Sequence, residues 1–324
     1  MLKAENPSRP TRLDELLDSK LIARVGQLDI TSRKIFSGKL KGERRSKRRG
    51  ESVEFADHRP YVVGDDLRHI DWNIFGRLDR LFLKLFMEEE DLCLHVVIDC
   101  SASSDCGEPS KFFFMQQVAM ALGYIGLINY NRVALTAIAD QSARRGTGVS
   151  PVGDDALAST GIVSTLRDLR GRRRTQELAE WLCSLEPAGS TNFPEAAKRI
   201  ALSRRGKGVM VVLSDFFFKE GYETGLRLLM GRGYDVFAVQ CLSPQEVEPD
   251  ITGDLRLRDV EDGDFAEVTM SAPLLKRYKA NLAAYCDQLR TFCARRDMSL
   301  LTVQTDTPID TLLLDYMRRR GLVR

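Results

Sequence analysis

Apolar residues at Leu13, Leu16, Leu17, Leu21, Ile22 and Val25 recur every three or four positions. This spacing predicts an amphipathic helix from Pro10 to about Leu28, with one face that needs a partner. Residues 81–87 alternate Leu81, Leu83, Leu85 and Met87 with Phe82, Lys84 and Phe86, which predicts a strand with two unequal faces. From Leu92 the pattern changes to short, nearly continuous apolar runs: 92–98, 132–139, 209–213, 236–242 and 299–303. Such runs are expected of parallel strands covered on both faces. Helical periodicity fills the intervals at 110–129, 173–186, 194–205, 220–231, 272–296 and 308–320. Strands alternating with helices predict an α/β fold with a doubly wound, mostly parallel sheet. Two segments depart from this alternation. Residues 162–168 read as an antiparallel edge strand, and 255–259 with 265–270 read as a hairpin turning through Glu261-Asp262-Gly263. The expected division is an N-terminal helical and β extension, 1–87, followed by the sheet domain, 88–324.

Composition adds an asymmetry that the total conceals. The 324 residues carry a net charge of +2, but residues 1–50 hold 14 Lys/Arg against 6 Asp/Glu, and residues 51–324 are net acidic. Nine of those basic residues fall in Arg33–Arg49, punctuated by Gly38 and Gly42, which reads as a basic loop or short helix. Between 51 and 80, Phe55, Tyr61, Trp72 and Phe75 interleave with Arg59, Asp65, Asp66, Arg68, Asp71 and Arg77. That mixture predicts a clasp of ion pairs, with guanidinium groups stacked on Trp72 or Tyr61. His58 and His69 are read as members of the clasp, since no Cys/His cluster at zinc spacing accompanies them. Seven cysteines include no C-x-x-C pair, and most lie in apolar stretches, as expected in a reducing, cytoplasmic compartment. The N-terminus lacks a signal-like apolar core, and the run 112–128 is interrupted by Gln116-Gln117, so neither export nor membrane spanning is expected.

Candidate chemistry concentrates where the first buried strand ends. Asp99-Cys100-Ser101-Ala102-Ser103 places a carboxylate and two hydroxyls at the carboxyl edge of the sheet, where open α/β folds bind ligands. Thr191, in Gly189-Ser190-Thr191-Asn192, and Asp215, after the 209–213 strand, stand at comparable edges. Asp99, Ser101, Ser103, Thr191 and Asp215 together offer hard oxygen donors suited to Mg²⁺ or Mn²⁺, with two carboxylates to balance the charge and positions left for water or a partner's carboxylate. The plainer use of Asp99, Ser101 and Ser103 is to cap the following helix and tighten a turn.

The order D-x-S-x-S, then Thr, then Asp is that of the metal-ion-dependent adhesion site of von Willebrand factor A-like domains. A longer resemblance lies upstream. Residues 54–72, EFADHRPYVVGDDLRHIDW, are similar to the signature E-F-x-x-x-R-x-Y-x-x-G-D-D-x-R-x-I-D-W of the bacterial domain-of-unknown-function 58 family. The similarity continues through Gly76-Arg77, Glu90, Gly171-Arg172, Ser214-Asp215-Phe216, Gly253-Asp254-Leu255 and Asp262-Gly263, covering about 35–320. Ser190 and Asn192 stand where many related domains have Gly and Asp, and Ser104 where Met is frequent. The resemblance implies a von Willebrand A-like, Rossmann-type sheet domain and partnership with a MoxR-type AAA+ ATPase. It implies no reaction.

Three functions follow as expectations. The first is a protein–protein interaction or scaffold module that binds an acidic partner motif through the metal site. The chain has no G-x-x-x-x-G-K-[ST], H-E-x-x-H or G-x-S-x-G motif, so no catalytic machinery is recognised and a non-enzyme is expected. The second is a metal-dependent phosphohydrolase using Asp99, although a haloacid-dehalogenase-like enzyme wants a second Asp where Ser101 stands. The third is polyanion binding, to nucleic acid or a membrane surface, through Arg33–Arg49 with help from Arg167–Arg174 and Arg318–Arg320.

Overall fold

The computed structural model describes residues 9–31, 55–63, 65–86, 92–140, 161–203, 208–231, 233–251, 253–261 and 265–324. The basic segment Arg33–Arg49, the acidic turn 88–91 and the hairpin tip 262–264 lie outside them. The chain groups into two compact units, residues 1–40 with 92–324, and residues 41–91.

In the smaller unit β1 (Phe55–Pro60) runs antiparallel to β2 (Phe82–Phe86), with Pro60 opposite Phe82 and a bulge between Phe55 and Asp57. β1 is absent from the sequence reading because its residues, mixed charged and aromatic, follow neither apolar period. Asp71 organises what lies between. One of its oxygens accepts from the backbone N–H groups of Asn73 (3.0 Å) and Ile74 (3.2 Å), capping the helix Trp72–Leu78. The other faces His58 Nε2 at 2.9 Å and Lys84 Nζ at 3.4 Å. The expected ion pairs are present as Arg59 with Asp65 (2.7 Å) and a two-pronged Arg68–Asp66 pair. Among the described residues the expected stacking is not. Trp72 instead meets Phe75 edge-on at 6.1 Å, and among the described residues guanidinium groups cover Phe265 and Phe292.

The hydrogen bond with His58, helped by the capped N–H groups and Lys84 and opposed by burial, holds the Asp71 carboxyl down to about 2. A carboxyl with a depressed folded value contributes stability above its unfolded value and loses it as the pH falls through the folded one. The contribution of Asp71 should therefore be intact at pH 5 and fade between about pH 4 and pH 2. Trp72 fluorescence in a Trp181→Phe background checks this, and Asp71→Asn should remove the transition. An unchanged acid profile in that variant would count against the assignment.

The larger unit is built on six strands: β3 (Cys93–Asp99), β4 (Arg132–Ile138), β5 (Ile162–Leu169), β6 (Gly208–Ser214), β7 (Tyr234–Leu242) and, after the hairpin β8 (Gly253–Arg258) and β9 (Phe265–Met270), β10 (Ser299–Gln304). Their spatial order is β10-β7-β6-β3-β4-β5, all parallel except β5, which runs antiparallel at the edge. Counted along the chain this is 3-2-1-4-5-6, the doubly wound order whose direction of winding reverses between the first and fourth strands, β3 and β6. The α/β class read from the sequence is the observed one. Alternation along β3 serves two cores. Leu94, Val96 and Ile98 face one with the helices Lys111–Ile128 and Thr175–Cys183, while Val97 faces the other with Phe193–Ser203 and Glu223–Met230.

Lys111–Ile128 is long and apolar enough to cross a bilayer by length and composition, but nearly all of it is buried in the protein. The single N-terminal helix expected over 10–28 is two short ones, Leu13–Leu16 and Ser19–Val25. They belong to the sheet unit, and Ile30 bridges Val323 so that the two ends of the unit meet. The C-terminal helical pattern is realised as Ile309–Thr311 followed by a wide π turn, Leu312–Met317.

Candidate functional site

β3 delivers Asp99 to the carboxyl edge of the sheet, where the chain breaks away into the short 3₁₀ turn Ala102–Asp105. Asp99 is buried, and its two oxygens accept hydrogen bonds from three separate segments. Oδ1 accepts from the Ser101 N–H (3.0 Å) and the Thr191 hydroxyl (2.9 Å), and Oδ2 accepts from the Ser214 hydroxyl (2.7 Å). Ser101 and Ser103 hydroxyl oxygens lie 3.0 Å apart. The loop bearing Thr191 is tied to the same turn. Gly189 takes a left-handed conformation (φ 72°), which suits glycine, and its carbonyl accepts from the Ala102 N–H at 2.8 Å. Cys100 O accepts from the Ala188 N–H at 2.9 Å, and Asp140 N–H reaches Ser190 O, closing the loop on the sheet.

Four of the five residues expected at the site, Asp99, Ser101, Ser103 and Thr191, thus form one hydrogen-bonded group. Asp215 stands at the neighbouring strand end, but its carboxylate is turned elsewhere. Oδ1 accepts from the Phe217 N–H (3.1 Å), and Oδ2 accepts from Lys111 Nζ at 2.7 Å. Lys111 also donates to Glu246 at 2.6 Å, and the other Glu246 oxygen accepts from the Ser243 N–H in a capping box. Lys111, Asp215 and Glu246 are all buried. Burial disfavours the Lys111 ammonium, but the charges and hydrogen bonds of Asp215 and Glu246 outweigh it and raise its pKa. Burial first, and then the charge of Asp215, push the Asp99 carboxyl up against the hydrogen bonds from Ser214 and Ser101.

Lys111 and Glu246 were not among the residues singled out from the sequence. Lys111 is the one charged residue in the run 111–128, and its isolation there is the signal that could have marked it. A further carboxylate, Glu261, reaches in from the hairpin and accepts from the Ser103 hydroxyl at 2.8 Å.

Asp215 and Glu246 share the one buried ammonium of Lys111, and Asp99, whose carboxyl feels the charge of Asp215, is buried as well, so buried carboxylates outnumber buried ammonium groups three to one in this region. Burying such an excess is costly unless a cation or protons balance it. Among the described residues no group of three or more His, Cys, Asp or Glu is arranged to hold a metal. The donors here are instead the Asp99 carboxylate, which carries no ion pair among the described residues, and neutral hydroxyls, a hard-oxygen set compatible with Mg²⁺ or Mn²⁺.

Comparison with known proteins places this edge in context. The family described as "Protein of unknown function DUF58" matches residues 57–288, which takes in the clasp, Asp99, Thr191 and Asp215. The chain belongs to the DUF58 family. Among relatives of this DUF58 protein, the uncharacterized protein Rv1480 of Mycobacterium tuberculosis is 26% identical over 313 residues, covering 94% of this chain and 92% of its own length. The uncharacterized protein MAV169 of Mycobacterium avium is 32% identical over 120 residues, 36% of this chain and 70% of that protein. Among solved structures, the hypothetical protein BatB of Bacteroides thetaiotaomicron aligns with 66% of the DUF58 chain and 90% of its own, at 11% identity and a TM-score of 0.36.

Proposed function

We propose that this protein is a von Willebrand A-like interaction module that recruits a partner's acidic group through a divalent cation. The observation that carries the reading is the Thr191–Asp99–Ser101–Ser103 group at the reversal point of the sheet, with the further buried carboxylates of Asp215 and Glu246 in the same region. Asp99 would anchor Mg²⁺ or Mn²⁺, Ser101, Ser103 and Thr191 would supply neutral oxygens, and Asp215, held by Lys111, would act through its charge or a bridging water. The bound ion would present open positions to a carboxylate. With this reading go a cytoplasmic location and a MoxR-type AAA+ ATPase as partner.

Asp99→Asn keeps an acceptor for Thr191 while removing the charge. It should lower Mn²⁺ affinity by at least tenfold in titration calorimetry, with the circular-dichroism spectrum unchanged. The purified ATPase should bind the wild type in Mg²⁺ and not in EDTA, and should not bind the variant. Equal Mn²⁺ uptake by both proteins would sink the metal reading. Metal-independent capture of the ATPase would separate the partner from the site.

A further inference from the structure

Glu261 follows β8, and its side chain crosses to the central sheet to meet Ser103, a residue 158 positions earlier. The turn that aims it is local, since the Glu261 N–H donates to Asp259 Oδ1 at 2.8 Å. β8 and β9 pair with one another and form no part of the six-stranded sheet. A two-stranded hairpin standing outside a sheet is held weakly, and it can shift without breaking the sheet's ladders. Between it and the end of β6 lies an open-sided cavity of about 430 Å³ lined by Ser103, Phe217, Lys219, Leu257, Glu261 and Phe265. The cavity opens beside the hydroxyl group of the site. Its walls offer apolar surface from Phe217, Leu257 and Phe265 and the charged side chains of Arg258, Lys219 and Asp259, the last two 3.8 Å apart, so that with Glu261 displaced the cations there outnumber the acids, as an acidic peptide requires.

A carboxylate accepting from Ser103 occupies the place that an arriving partner carboxylate would need. We infer that Glu261 is an internal stand-in for that carboxylate, held at the site in the isolated protein and displaced by an acidic side chain of the partner, whose neighbouring residues enter the cavity. This rests on the metal-dependent reading above and adds to it a competitor within the chain. Binding of an acidic partner is then opposed by the hairpin, and moving the hairpin is what opens the site.

The test uses the full chain, Mn²⁺ as the metal and N-acetylglutamate as the carboxylate, with metal uptake followed by calorimetry and ligand binding by Mn²⁺-dependent broadening of the acetyl methyl resonance. Wild type, Glu261→Gln, Glu261→Ala and Asp99→Asn are compared, and whichever Glu261 variant keeps the wild-type circular-dichroism spectrum decides the result. N-acetylglutamate should bind the Mn²⁺-loaded Glu261 variant at least tenfold more tightly than Mn²⁺-loaded wild type. Equal affinities in two proteins that both take up Mn²⁺ would overturn the internal stand-in and leave the metal reading standing. Mn²⁺ uptake by wild type no better than by Asp99→Asn would overturn both.

Discussion

Lys111→Met should destabilise the protein by about 3–5 kcal/mol, the usual cost of removing one partner from a buried ion pair. Methionine matches much of the lysine's length, so the loss is of charge more than of volume. Asp215 and Glu246, 2.7 and 2.6 Å from Lys111 Nζ, would be left buried without their cation, beside Asp99. In the wild type the raised Lys111 pKa contributes stability fully below the unfolded value of 10.5, and this is lost only as the pH rises through the folded value. The wild-type contribution is therefore flat from pH 5 to pH 8. The variant should behave differently, because unpaired buried carboxylates take up protons more readily and protonation removes the penalty. Urea denaturation at pH 8 and pH 5 should show the deficit shrinking at the lower pH. A deficit equal at both would mean that Lys111 matters for packing alone.

Phe193→Ala should cost a comparable amount, about 3–5 kcal/mol, the range for truncating a buried phenylalanine. Phe193 is fully buried, stacks on Phe218 with centroids 4.6 Å apart and meets Phe216 edge-on at 6.4 Å. A Cβ on Gly225 would lie 2.4 Å from its ring, so the following helix is packed against it without slack. The ring therefore braces two loops at once, the one carrying Thr191 and the one after Asp215. Phe114→Ala, in the core on the opposite face, should lower the urea midpoint similarly. On the metal-dependent reading proposed above, only Phe193→Ala should also weaken Mn²⁺ uptake, and equal uptake in the two variants would show that the brace does not reach the site.

What could be read from the sequence divides along physical lines. The strands β3, β4, β6, β7 and β10 were legible because a parallel strand covered on both faces must be apolar throughout. The edge strand β5 and the β8–β9 hairpin were legible from their alternation and turn residues. Asp99, Ser101, Ser103 and Thr191 were visible as oxygen-bearing residues at strand ends. Lys111 and Glu261 were not singled out because each acquires its role from a partner more than a hundred positions away: Asp215 for Lys111, Ser103 for Glu261. A lone lysine at a helix start and a glutamate in a turn ordinarily face water. The orientation of Asp215 was hidden for the same reason, since it follows from Lys111. The N-terminal periodicity correctly marked a buried face, through Leu16, Leu17 and Val25, but it could not show that the chain breaks between residues 16 and 19.

The reversal of winding between β3 and β6 also bears on how the chain reaches its native state. The two strands are adjacent, yet Asp99 and its partner Ser214 are 115 residues apart in sequence. A fragment ending before β6 lacks the Ser214 hydroxyl that completes the hydrogen bonds of Asp99, and a contact of that sequence separation forms only after the intervening loop entropy has been overcome. A ligand that bound there would recognise the completed topology and would withdraw molecules from the unfolding equilibrium, by about 2.7 kcal/mol at a hundredfold excess over its dissociation constant. Occupancy of this edge by such a ligand would thus measure global folding as much as recognition.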